Sequence, residues 1–297
     1  MNDTTLHLEG IDHRFLELPG LRMHVAEAGS GEAVLLLHGF PEHWWEWRKV
    51  IPGLAEHYRV ICPDLRGAGL TEVPADGYDR TRLLADVIAL LDELDVGRVN
   101  LIGHDWGALL GFELCLQHPE RVGRFISLAT PHPYIRFTPR LLTVMWRLWF
   151  QLVIITPGLG PRLLSRGRQR FTRHLLRGYA HAADAWTEAD IEAFLAPMRD
   201  PARARAGSAL YRGFILPGAR RIVSGGYRGT RLTTPTLVLY GEEDPGVRAE
   251  FLDGYQGHAD DVTLEAIEGS AHFIPDEQPE LVVERALAFF GAAPARA

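Results

Sequence analysis

Short strand-like runs alternate with amphipathic helical runs on both sides of a long interruption in this 297-residue chain, and this alternation constrains its fold more than any other feature. Residues 21–27 and 33–38 are strand-like, and 44–57 is a helical stretch entered after Pro41. A strand at 58–62 ends at Pro63-Asp64. Residues 81–94 carry Leu83, Leu84, Val87, Ile88, Leu91 and Leu94, a spacing that gives a helix one apolar face. Strand 98–103, helix 107–118 and strand 122–129 follow. The rhythm resumes with strands at 236–240 and 262–267 and a helix at 279–290. Parallel strands need long crossovers, which helices supply, so the fold class is α/β with a mostly parallel sheet flanked by helices.

Residues 131–231 break this pattern with apolar helical runs, arginines and Pro/Gly breaks. They hold 17 arginines against five acids, a balance of +12, which leaves −19 for the rest of a chain of net charge −7. Such a sign change marks a boundary. The expectation is a helical cap at 131–231 inserted in a core made of 1–130 and 232–297, with the two parts attracting each other or carrying solvated charged faces. The apolar stretch 141–158 is interrupted by Arg147 and Gln151, so it reads as a buried helix and not as a stable membrane span.

The chemistry concentrates at Gly103-His104-Asp105-Trp106-Gly107, between a strand and a helix. Glycines on either side of a residue at a strand end allow the sharp turn that exposes a nucleophile, and here that residue is Asp105. After an earlier strand comes His38-Gly39-Phe40-Pro41, a loop whose Phe40 N–H pairs with that of Trp106 as an oxyanion hole. Tyr240-Gly241-Glu242-Glu243-Asp244-Pro245 offers an orienting acid at a late strand end, Asp244 ahead of Glu243. His272, in Gly269-Ser-Ala-His272-Phe, lies 28 residues after Asp244 and precedes the last helix. The order nucleophile, acid, histidine is that of the α/β hydrolases.

Together HGFPE at 38–42, DLRGAG at 64–69, GHDWG at 103–107, TPHP at 130–133 and GSAHF at 269–273 resemble the epoxide hydrolase family over nearly the whole chain. The resemblance implies an α/β-hydrolase fold with a helical cap. It also implies conversion of a lipophilic epoxide and water to a vicinal diol. A carboxylate is ionised at neutral pH and attacks a saturated carbon without a base. The ester on Asp105 is then hydrolysed by water that His272 deprotonates, with Asp244 orienting the imidazole.

An opening epoxide releases a basic alkoxide that needs a proton, and a phenol supplies one. In the family such tyrosines stand on the cap, and Ala209-Leu210-Tyr211-Arg212 resembles the later of its two motifs. The earlier one is resembled by Trp146-Arg-Leu-Trp149-Phe150-Gln151, where Trp146 stands in the tyrosine's place. Trp146, Trp149 and His38 are therefore expected to line the substrate pocket or act as a second donor, with His38, like His104, also read as a residue that locks its loop. The alternative is a haloalkane or haloacid dehalogenase with the same Asp-His-Asp set. Against it stand Phe40, where haloalkane dehalogenases typically carry asparagine, and the absence of arginine just after Asp105.

No ligand spacing implies a metal, no GxGxxG or P-loop a nucleotide cofactor, and no motif a nucleic acid. Cys62 and Cys115 lie far apart in apolar runs, and the N-terminus lacks a signal-peptide pattern, so a cytoplasmic monomer or homodimer is expected.

Overall fold

Leucine- and valine-rich runs become the central strands because both of their faces are covered. The computed structural model describes residues 6–135, 146–182 and 185–291. Strands β1 (Asp12–Leu18), β2 (Leu21–Ala28), β3 (Ala33–Leu37), β4 (Arg59–Pro63), β5 (Val99–His104), β6 (Val122–Leu128), β7 (Thr236–Gly241) and β8 (Val262–Ile267) form one sheet. Its order is β1-β2-β4-β3-β5-β6-β7-β8. The β1–β2 and β2–β4 pairs are antiparallel, and every pair from β4–β3 to β7–β8 is parallel. All residues of β3 and β5 are buried, as befits parallel strands covered on both faces. Strand β1 escapes the sequence reading: Asp-His-Arg-Phe-Leu-Glu-Leu is a mostly exposed edge strand.

Helices α1 (Ile51–Ala55), α2 (Arg80–Glu93) and α3 (Trp106–Gln117) belong to the first half of the sheet. Between β6 and β7 come α4 (Trp149–Ile155), α5 (Leu159–Ser165), α6 (Arg170–Tyr179), α7 (Glu188–Leu195), α8 (Pro201–Leu210) and α9 (Leu216–Val223). Helix α10 (Ile274–Glu277) and helix α11 (Pro279–Phe290) close the chain. The insertion touches the sheet's carboxyl edge through small residues and carbonyls. Gly207 of α8 lies so close to Phe40 that a Cβ there would stand 2.8 Å from its ring. Arg203 Nη1 donates to the carbonyls of Thr71, Ala68 and Gly67 at 2.8, 3.1 and 3.5 Å.

The stretch expected as a buried helix at 141–158 is corrected. Residues 141–145 fall outside the described residues. From Trp146 on, a 3-10 turn and the short helix α4 bury only Ile154 fully, while Trp146, Trp149 and Leu152 face solvent. Helix α4 has only seven residues and ends before Pro157, so it is too short to enclose its apolar residues. Among the described residues no helix is long and apolar enough to cross a membrane.

Candidate active site

Asp105 follows β5 directly, with φ 49° and ψ −123°, a region that strains any residue carrying a Cβ. The turn persists because its neighbours are packed around it. A Cβ on Gly107 would stand 2.3 Å from the Leu37 carbonyl oxygen of β3. Thr130 Oγ1 donates to the Asp105 carbonyl at 2.9 Å and fixes the turn from the β6 side. Gly107→Ala should therefore destabilise the protein by about 1–3 kcal/mol or more, since the obstacle is backbone and cannot rotate away. A urea midpoint equal to that of the parent would contradict this packing.

The loops after β3, β5, β7 and β8 meet at the sheet's carboxyl edge, where ligands of open α/β sheets bind. Phe40 N–H donates to Asp105 Oδ2 at 3.1 Å. The other carboxylate oxygen, Oδ1, is 3.9 Å from His272 Nε2. His272 Nδ1 lies 3.0 Å from Asp244 Oδ2. Asp244 is buried, and its Oδ1 accepts the N–H groups of Gly246 at 2.6 Å and Val247 at 3.0 Å. Glu243 instead pairs with His181 at 2.9 Å on a more exposed surface. Burial alone would lower the His272 pKa, but Asp244 and then Asp105 outweigh it and raise it. The sequence-derived nucleophile, base and orienting acid are thus adjacent. Trp106 N–H lies in the first turn of α3, where helix N–H groups lack helical partners, but it makes no hydrogen bond to the Asp105 side chain.

Tyr211 is buried and opens a single π-helical turn, Tyr211–Ile215, that interrupts the run from α8 to α9. Such turns recur at functional sites because the extra residue redirects side chains. Its ring meets Phe40 edge-on at 5.1 Å. Burial, then the charge of Asp105, raises the Tyr211 pKa well above the usual phenol value. Among the described residues its hydroxyl has no hydrogen-bond partner.

Sequence reasoning missed Tyr179, the last residue of α6. His272 N–H donates to its carbonyl at 3.1 Å, and its ring is 6.4 Å from the His272 imidazole. Phe150 stands between the two tyrosines, 5.3 Å from the Tyr179 ring and 6.5 Å from that of Tyr211. The Tyr179 hydroxyl donates to the Arg147 carbonyl. Burial, then the charge of Asp244, pushes its pKa up to about 12.

Three expected pocket residues are corrected. Trp146 is 64% exposed, with the Arg147 guanidinium 5.7 Å from its ring centroid. Trp149 is 45% exposed and packs edge-on to Phe171. Local similarity places these residues in the insertion but does not decide which way they face. His38 is wholly buried with both ring nitrogens engaged, Nδ1 with the Gly39 carbonyl at 2.8 Å and Nε2 with Leu65 N–H at 3.0 Å. It locks the loop. Among the described residues the nearest approach to a metal-ligand group is Glu42, Glu46 and His104, all buried and with side-chain atoms within 4.8 Å of one another. They contact each other directly as an ionic cluster.

The sequence matches the α/β hydrolase fold family over residues 32–279, and the chain belongs to that family. It is a hydrolase. Within the fold the chain belongs to the epoxide hydrolases. It is 32% identical over 287 residues to a soluble epoxide hydrolase of Corynebacterium sp., across 94% of this chain and 97% of that one. Epoxide hydrolase 4 of Mus musculus is 30% identical, over 89% of this chain and 74% of its own length. Among solved structures, the epoxide hydrolase CorEH superposes with TM-score 0.81 at 31% identity, covering 95% of this chain and 99% of that one. Cfl2 from Burkholderia cenocepacia gives 0.82 at 30% identity, covering 95% and 96%.

Proposed function

We propose that the protein converts a lipophilic epoxide to a vicinal diol through an ester on Asp105. The supporting observation is the Asp105 carboxyl, with one oxygen on the Phe40 N–H at 3.1 Å and the other 3.9 Å from His272 Nε2. A serine at this place would attack a carbonyl and need the histidine first. A carboxylate needs no activation and attacks saturated carbon.

In the first half-reaction Asp105 attacks an epoxide carbon and the ring C–O bond breaks. The released oxygen takes a proton from a tyrosine, Tyr211 in this reading, with Tyr179 as second donor. The raised pKa of each phenol keeps it protonated as a donor. In the second half, His272 Nε2 takes a proton from water, and the hydroxide adds to the Asp105 carbonyl carbon. The charge that develops on Asp105 oxygen is held by Phe40 N–H, joined by Trp106 N–H. Collapse releases the diol, whose leaving oxygen takes its proton from the imidazolium, and the water's second proton, left on the Asp105 carboxyl, passes to the tyrosinate and restores both groups. Phe40, Trp106, Phe150 and Phe214 make the surroundings apolar, which supports a lipophilic substrate.

The two halves should differ in pH dependence. Hydrolysis needs neutral His272, so its rate rises as pH passes upward through the histidine pKa. In the free enzyme that pKa is raised, in part by Asp105. Esterification neutralises Asp105 and removes that contribution. The rising limb of ester decay should therefore lie at lower pH than the His272 titration of the free enzyme, as followed by rapid quench and by imidazole NMR. A limb at higher pH would contradict the assignment.

A dehalogenase is the second reading. Trp106 Nε1 is buried with no partner among the described residues, a donor that suits a leaving halide. The two are separated by turnover of aryl and alkyl epoxides beside matched haloalkanes. Diol formation is the expected result, and halide release without diol formation would overturn it.

A further inference from the structure

Behind Asp105 lies a closed charge cluster that the mechanism above leaves unused. Glu42, Glu46 and His104 are each at most 2% exposed. Glu42 follows the Phe40-Pro41 turn, Glu46 sits in the 3-10 turn Trp44–Lys49, and His104 ends β5 beside the nucleophile. Glu46 Oε2 accepts the Gly39 N–H at 2.7 Å. Its Oε1 is 3.0 Å from His104 Nδ1, and Glu42 Oε2 is 3.4 Å from the same nitrogen. Neither contact is aligned as a hydrogen bond, and the Glu46 contact is the shorter of the two. On its far side His104 Nε2 donates to the His272 carbonyl at 2.8 Å. A continuous path therefore runs from Gly39 through Glu46 and His104 to His272. Its ends are the loop carrying the Phe40 N–H and the loop carrying the proposed base.

Ion groups withdrawn from water are costly unless well paired, so this cluster is a poor way to fill space. Burial alone would lower the His104 pKa, but Glu46 and Glu42 outweigh it and lift it well above the ordinary imidazole range. Burial and then the charge of Glu46 push Glu42 up to about 8, with His104 opposing. The cluster thus favours an imidazolium at His104, held mainly by Glu46. Each contact restrains a different loop of the site.

We propose that Glu46, acting through His104, is a positioning residue that sets the spacing between the oxyanion loop and the His272 loop. This rests on the Asp105-ester reading. Ester hydrolysis needs both loops at once, since His272 delivers the water while Phe40 N–H receives the developing charge. Alkylation transfers no proton to either. A loss of this restraint should therefore fall on the second half-reaction.

Glu46→Gln is close in size, keeps an acceptor for Gly39 N–H and removes the charge opposite His104. A displacement of order 1 Å at reacting groups costs about 10²-fold. Rapid-quench mass spectrometry on an epoxide should then show ester decay slowed by about 10- to 100-fold, with alkylation little changed. In a His104→Gln background Glu46→Gln should add nothing, because residues acting through one contact are not additive. Ester decay at the parent rate, equal slowing of both steps, or full additivity with His104→Gln would overturn the proposal. Should Glu46→Gln not fold, His104→Gln alone carries the test, with the same slowing confined to decay expected and parent-rate decay overturning it. If His272→Ala forms no ester on Asp105, the mechanism itself fails and this inference with it. An ester that forms normally but decays normally in Glu46→Gln removes only the inference.

Discussion

His272→Ala should stop turnover while leaving the substrate bound to the enzyme as an ester. The basis is positional: Asp105 Oδ1 is 3.9 Å from His272 Nε2, too far for a hydrogen bond that would activate it, and a carboxylate requires none. His272 is needed only once water must be deprotonated. Removing a member of such a triad costs about 10⁴-fold or more in turnover. The free enzyme should still alkylate, so intact-protein mass spectrometry should show one substrate mass added, with the added mass on the peptide containing Asp105. Asp105→Ala should give neither adduct nor diol. Steady turnover by Asp105→Ala, or an adduct on any other residue, would end the ester mechanism.

The candidate site was legible where its geometry is local. Gly103, Asp105 and Gly107 form one turn, and the close approach of Gly107 to Leu37 shows why the spacing is fixed. Asp244 and His272 were legible through chain order, since each follows a strand of the same sheet edge. Strand β1 was not, because its charged residues face solvent on an edge and mask the alternation. Tyr179 was not legible either. It reaches the site only because the folding of α6 brings its carbonyl onto His272 N–H, a contact between residues 93 positions apart. The residues before it, Leu175 and Leu176, are buried and signal a helix but no site. For Trp146 the error ran the other way. A local resemblance implied a pocket residue, and the tertiary packing left it outside.

Charge gave a similar lesson. The excess of arginine in 131–231 predicts attraction to the acidic remainder or solvated charged faces. Among the described residues, Arg231 with Asp260 is the one ion pair that joins an arginine of this segment to an acid outside it, and it is exposed at the boundary. The pair Arg48–Asp190 has the opposite sense, a core cation with an acid of the insertion. Arg203 reaches across to neutral carbonyls. Net charge says nothing of which partners a guanidinium finds: across the seam guanidinium groups meet carbonyls as well as acids.

Tyr211→Phe should slow ester formation on an epoxide by about 10²–10³-fold, the usual cost of losing one donor at a developing oxyanion, or about 2.7–4 kcal/mol. The substitution keeps the ring against Phe40 and removes only a hydroxyl that has no partner among the described residues, so the fold should tolerate it. The ester's decay uses His272 and the Phe40 N–H, so decay of preformed adduct should stay near normal. Tyr179→Phe should also slow alkylation, by less, because its hydroxyl donates to the Arg147 carbonyl at rest and must change partner to serve. Trp146→Phe should change neither step, since that ring is 64% exposed. The double variant of Tyr211 and Tyr179 should lose nearly all epoxide alkylation. Haloalkane alkylation distinguishes the readings further, because a halide leaves without a proton and depends on N–H donors such as Trp106 Nε1. If Tyr211→Phe alkylates at the parent rate while Trp106→Phe does not, the donor set is that of a halide site and the dehalogenase reading replaces the epoxide one.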